Sequence, residues 1–138
     1  MQRPQLITIM AVLAAIGGVL GILGAFGLFA LGAAGGLLAA TGGAMDVGFM
    51  VGGFAVFWGL VTLIQSTASL AFAYGAWFLK PWAWILGIGI EVAAIFMALV
   101  SLLGKSSDFF GFLISVAIAG AIIYLLNTPE IKRAFGRA

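Results

Sequence analysis

Histidine and cysteine are both absent from the 138 residues. Haem ligation by either residue, Cys-bound iron–sulfur clusters, thiolate nucleophiles, disulfides and His-based acid–base catalysis are therefore closed to this polypeptide acting alone. The redox compartment leaves no mark on such a sequence. Charge is nearly as scarce, with six Lys and Arg against four Asp and Glu. Proline occurs three times and tyrosine twice. No nucleotide-binding loop, metal-ligand cluster or nucleophile with a neighbouring base stands out, so neither a metal, a cofactor nor enzymatic activity is expected.

What fills the chain instead is hydrocarbon: 64% of residues are hydrophobic and the mean hydropathy is +1.29. No water-soluble domain of this length has such a composition. The charges collect at the ends of apolar stretches, which predicts spans over about 6–29, 54–79, 82–103 and 109–126. The expected fold is all-α, an integral membrane four-helix bundle forming one transmembrane domain, with a short amphipathic helix at the C-terminal end. The first apolar run is too long for the ~7–15 residue core of a signal peptide and reads as a retained helix.

Four spans place both termini and the turn between spans two and three on one side of the membrane. Arg3, Lys80, Lys132, Arg133 and Arg137 fall on that side, whereas the other carries Lys105 with Asp46 and Asp108. The positive-inside rule makes this a multi-pass protein of the cell membrane with both termini cytoplasmic.

Small residues mark the faces along which these helices pack. In span one, Ala14, Gly17, Gly21 and Gly24 share a face that permits close approach, assigned to packing within the chain and not to dimerisation. In span two, Thr62, Ser66, Ser69, Ala73 and Ala76 follow a 4-3-4-3 spacing and should look inward, with Gln65 beside them. A buried amide there would need a partner on another span or a water. Between the two spans, the Gly/Ala-rich connection 32–48 is almost uncharged. It could dip back into the membrane, lie at the interface, or extend the helices with a break near Gly42-Gly43. Asp46 there complements the dipole of the helix it precedes.

Glu91 is the candidate of greatest chemical interest, an acid near the middle of the apolar stretch Pro81–Leu103. Ten residues at about 1.5 Å each separate it from Pro81, and the same count back from Lys80 reaches Leu70 beside Ser69. Glu91, Ser69, Ser66 and Gln65 thus form a possible intramembrane polar site. Gly87, Ala94 and Ala98 share the face of Glu91, which should point into a helix interface. Three readings stand: a neutral acid hydrogen-bonded within the chain, contact with a partner subunit, or an ion- or proton-carrying role.

Lys80, Trp82, Trp84 and Trp77 read as interfacial anchors, the indoles favouring headgroup depth. Thr128 is a plausible N-cap, with Pro129 at the first helical position and Glu130 in the first turn. Ile131, Ala134 and Phe135 then share one face. Lys132, Arg133 and Arg137 occupy the rest, as in an interfacial helix over 128–137 that lies on the inner leaflet.

Two stretches, Tyr74-Gly75-Ala76-Trp77-Phe78-Leu79-Lys80-Pro81-Trp82-Ala83-Trp84 and Thr128-Pro129-Glu130-Ile131-Lys132-Arg133-Ala134-Phe135, give the chain a resemblance to a known group. It resembles small, uncharacterised four-helix integral membrane proteins of bacteria and archaea. The resemblance implies the fold and carries no activity, cofactor or site residue with it.

The leading functional expectation is a structural or accessory subunit of a larger membrane complex, bound through helix faces. The alternatives are a small oligomeric transporter or channel with a polar path around Glu91, and a binder of lipid, quinone or pigment. Expected partners are membrane lipids and other membrane subunits or a second copy; nucleic acid is not expected.

Overall fold

Glycine, proline and one strained leucine set the helix boundaries. The computed structural model describes residues 5–103 and 109–136 and holds five helices: α1 Gln5–Thr41, α2 Met45–Trp77, α3 Pro81–Leu103, α4 Phe109–Leu126 and α5 Pro129–Ala134. No strand occurs among the described residues. The first four helices are each long and apolar enough to cross a membrane, consistent with a multi-pass membrane protein. Arg3, Lys105, Asp108 and Arg137, on which part of the expected orientation rests, lie outside the described residues.

The connection 32–48 takes the third of its open forms. α1 continues through it to Thr41, α2 starts at Met45, and the break falls at Gly42-Gly43-Ala44. Gly43 has φ +77°, the Ala44 amide donates to Ala39 O (2.9 Å), and the Gly43 amide donates to Ala40 O (3.5 Å). This is the Schellman pattern, in which a left-handed residue just past the helix lets two further amides satisfy its last carbonyls. Nothing in residues 32–41 stops a helix, because alanine and leucine favour it and the glycines are held by packing.

The α2–α3 turn uses the same device without glycine. Leu79 has φ +52°, the Lys80 amide donates to Gly75 O (2.8 Å) and the Leu79 amide to Ala76 O (3.2 Å). Pro81 then opens α3, where its missing N–H and fixed φ fit the first helical position. A leucine in left-handed geometry costs about 1–2 kcal/mol, but its side chain packs against the core described below. These opposing effects predict that Leu79→Gly changes the thermal midpoint in detergent little. Leu79→Val, β-branched and poorly tolerated at positive φ, should destabilise by about 2 kcal/mol.

The chain divides into two compact units, one formed by Ala15–Leu70 and the other by the stretch up to Ala14 together with everything from Ala71 onward. α1 and α2 each run through both. Along α1, one inward row holds Ile7, Ala11, Ala14, Gly18, Gly21, Ala25, Leu28, Gly32, Gly35 and Ala39. Along α2, an inward row holds Gly48, Gly52, Ala55, Gly59, Thr62, Ser66, Ser69, Ala73 and Ala76, with Phe72 and Gly75 also buried beside its end. Both rows alternate steps of four and three, the 3.5-residue repeat that keeps two helices face to face over many turns.

Within Ala15–Leu70 the two seams meet almost backbone to backbone. A Cβ on Gly52 would lie 3.1 Å from Gly32 O, and one on Gly48 would lie 3.0 Å from Gly36 O and 2.6 Å from Ala39 Cβ. A Cβ on Gly21 would collide with Ser66 Oγ, and one on Gly18 with the Leu70 side chain. In hydrocarbon, where burial of apolar surface gives helices no reason to associate, such close contact is the main attraction available. The seam keeps Ala14 and Gly21 of the predicted face but replaces its other two members: Gly17 and Gly24 have open space around them, and their neighbours Gly18 and Ala25 turn inward.

The other unit has a core of larger side chains. Ile7 and Ala11 of α1, Phe72 and Ala76 of α2, Ala83 of α3, Leu126 of α4, and Ile131 and Phe135 beside α5 form one buried cluster. Gly75 admits the Trp82 ring and Ala83 at the α2–α3 turn, and Gly87 admits the Phe72 ring and Leu126. α3 packs along α4, whose inward row Phe112, Val116, Ala119, Ile123 and Leu126 repeats the 4-3 spacing.

Candidate functional site

The predicted polar residues divide between the two units. Gln65, Ser66 and Ser69 belong to Ala15–Leu70, and Glu91 belongs to the other. Ser66 is buried on the seam and its Oγ donates to Thr62 O (2.6 Å). Ser69 Oγ donates to Gln65 O (3.0 Å), and Thr67 Oγ1 to Leu63 O (2.8 Å). Each hydroxyl proton is thus engaged one turn back on its own helix, the usual way such residues live in apolar surroundings.

Gln65 departs from the expectation of a buried amide. It is exposed on the helix surface. The seam runs Thr62, Ser66, Ser69, and a residue immediately before Ser66 is rotated about 100° off it. What the structure leaves of a polar stripe on α2 is three hydroxyl residues, of which Ser66 is buried against Gly21 and Thr62 and Ser69 are partly exposed.

Glu91 sits on the half-buried row of α3 that also holds Gly87, Ala94 and Ala98. Its carboxyl makes no hydrogen bond or ion pair among the described residues. No group of three or more potential metal ligands occurs there either. Among the described residues Glu91 is the one acid away from the helix ends, about 15 Å along an apolar helix.

Trp84 is more than an anchor. Half-buried, its Nε1 donates to Leu126 O (2.8 Å), one of the carbonyls that the end of α4 leaves without an amide partner. Lys132 Nζ stands 5.6 Å from the centre of the Trp84 ring, within cation–π range. One indole therefore joins α3, α4 and α5. Trp77, Trp82 and Lys80 are exposed nearby in sequence, at the α2–α3 turn.

α5 also departs from the interfacial helix expected over 128–137. Its apolar side chains Ile131 and Phe135 are each 1% exposed, buried among the chain's own helices and not in a leaflet. Thr128 occupies the N-cap position with extended backbone, but its hydroxyl makes no cap bond; it donates instead to Leu125 O (2.7 Å). Asn127 Nδ2 likewise donates to Ile123 O (2.9 Å). Both side chains close the end of α4, which leaves the chain turning sharply into Pro129.

The α1–α2 hairpin carries two features that no sequence motif announces. An open cleft of about 470 Å³ is lined by Leu28, Met50, Val51, Phe54, Ala55 and Trp58, all apolar. Around and beyond it, large apolar side chains stand almost fully outward: Phe49 is 86% exposed, with Leu38, Met45 and Met50 similarly bare. Their signal in the sequence is the length of uninterrupted helix, concealed by a glycine content that reads as a loop.

Compared with protein families, with curated proteins and with solved structures, the chain matches none.

Proposed function

We propose that this protein is a non-catalytic, structural or accessory subunit of a larger membrane protein complex, seated in the cell membrane with both termini cytoplasmic. The observation that carries the proposal is the length of the first two helices. α1 and α2 have 37 and 33 residues, about 55 and 50 Å at 1.5 Å per residue. A hydrocarbon core is about 30 Å thick. Tilted by about 40°, at the steep end of the observed range, α1 still covers about 42 Å of depth. The surplus is apolar, with Asp46 the only charge in residues 5–79. Several large side chains at about 1.5–3 kcal/mol each make its exposure to water expensive. A neighbouring apolar polypeptide removes that cost.

The transporter reading draws less support. The Ser66 and Ser69 hydroxyls are engaged with their own helix, Ser66 is packed against Gly21, and Gln65 faces outward. Glu91 then serves best as a hydrogen-bonding contact for a partner helix, since a lone carboxyl in hydrocarbon gains most from a donor or acceptor brought by a neighbour.

The test places a charge on the bare surface. Phe49→Lys should abolish recovery of co-purifying polypeptides from native membranes while leaving stability within about 0.5 kcal/mol of wild type, because the side chain supports nothing in the fold. Equal recovery from both forms would refute the role given to this surface.

A further inference from the structure

We infer that the end of the bundle bearing Lys80, Lys132 and Arg133 is a docking surface for anionic phospholipid headgroups. α5 does not lie free on a membrane. Ile131 and Phe135 pin it to the core, so the backbone that carries its cations is held in place before any lipid arrives. Lys132 rests over the Trp84 ring, and that ring is fixed by its bond to Leu126 O. Trp84 in turn lies one helical turn beyond Lys80 on α3. Lys80 and Arg133 are exposed and form no ion pair among the described residues; Glu130 is the only acid in this group, leaving it net positive.

Charge complementarity selects an anion, and the surroundings select its kind. The exposed side chains next to Lys80 are Trp77, Phe78, Trp82 and Ile85, all apolar or amphipathic. A ligand that places a phosphate on the cations and hydrocarbon on these rings satisfies both, and an anionic glycerophospholipid is such a ligand. Free phosphate would use only the charges. Because the backbone that carries Lys132 and Arg133 is already ordered, the backbone entropy that a flexible basic tail loses on binding is largely absent.

Retention of phosphatidylglycerol against phosphatidylcholine by the full-length protein in a neutral detergent provides the test, with bound lipid quantified after gel filtration. A cation near an anionic surface contributes about fivefold in affinity. Wild type should therefore enrich phosphatidylglycerol by more than tenfold. Lys132→Gln or Arg133→Gln should each lower the enrichment about fivefold, and the double variant should leave only the roughly fivefold contribution of Lys80, with unchanged thermal midpoints. Equal retention of the two lipids by wild type, or undiminished enrichment in the double variant, would overturn the inference. Displacement of bound phosphatidylglycerol by millimolar inorganic phosphate, beyond what chloride of the same ionic strength achieves, would identify a free-anion site and overturn the lipid assignment.

Discussion

Gly48→Val should destabilise the α1–α2 hairpin by about 3 kcal/mol or more, and Gly53→Val should leave it intact. The two glycines are five residues apart in one helix and differ in what surrounds them. At Gly48 an added Cβ meets Ala39 Cβ at 2.6 Å and Gly36 O at 3.0 Å, neither of which can swing aside as the end of a long side chain can. The helices must separate, and overpacking of this kind costs about 1–3 kcal/mol even where some relaxation is possible. At Gly53 nothing lies within 4 Å. Removing a glycine from mid-helix there gains a few tenths of a kcal/mol in helix propensity. Thermal unfolding in detergent, followed by circular dichroism, separates the two outcomes. Gly18→Val against Gly17→Val repeats the comparison on α1, with the Leu70 side chain and Ser66 O as the obstruction at Gly18 alone.

Phe135→Ala is the second large effect. Phe135 is the bulkiest of the fully buried side chains, in the cluster with Ile7, Leu126 and Ile131. Truncation leaves a cavity that the short α5 cannot refill, and losses of about 3–5 kcal/mol accompany Phe→Ala in packed cores. Because α5 has only six residues and no side-chain cap, it has little stability of its own once Phe135 is gone. Trypsin should then cleave at Lys132 and Arg133 at least tenfold faster. Phe135→Leu should recover most of the resistance. Equal cleavage of wild type and Phe135→Ala would show that the C-terminal helix is held by something other than this contact.

The helices themselves were legible because apolar length is a coarse and robust signal: spans predicted over 82–103 and 109–126 coincide closely with α3 and α4. The Thr62, Ser66, Ser69, Ala73, Ala76 stripe was legible for the same reason, being a periodic row on one helix. Where the reading fell short, the deciding interaction was tertiary. Gly32 to Gly48 resembles a loop in composition, yet contact between Gly32, Gly36, Gly48 and Gly52 holds it helical. Gly17 and Gly24 carry the same local signal as Gly18 and Gly21, and only a partner helix distinguishes them. Ile131 and Phe135 form an apolar face with either a leaflet or a protein core as its complement, and periodicity is blind to which. For Thr128, the backward bond to Leu125 O depends on how α4 ends, which residue type does not encode. Glu91 was conspicuous from the start because charge in an apolar span has no local explanation.

Native mass spectrometry of the protein, extracted gently from its own membrane, shows whether another polypeptide covers the surplus apolar length of α1 and α2. A hetero-oligomer is expected, with at least one further polypeptide that Phe49→Lys releases. A wild-type protein that leaves the membrane only as a monomer or homo-oligomer would contradict it.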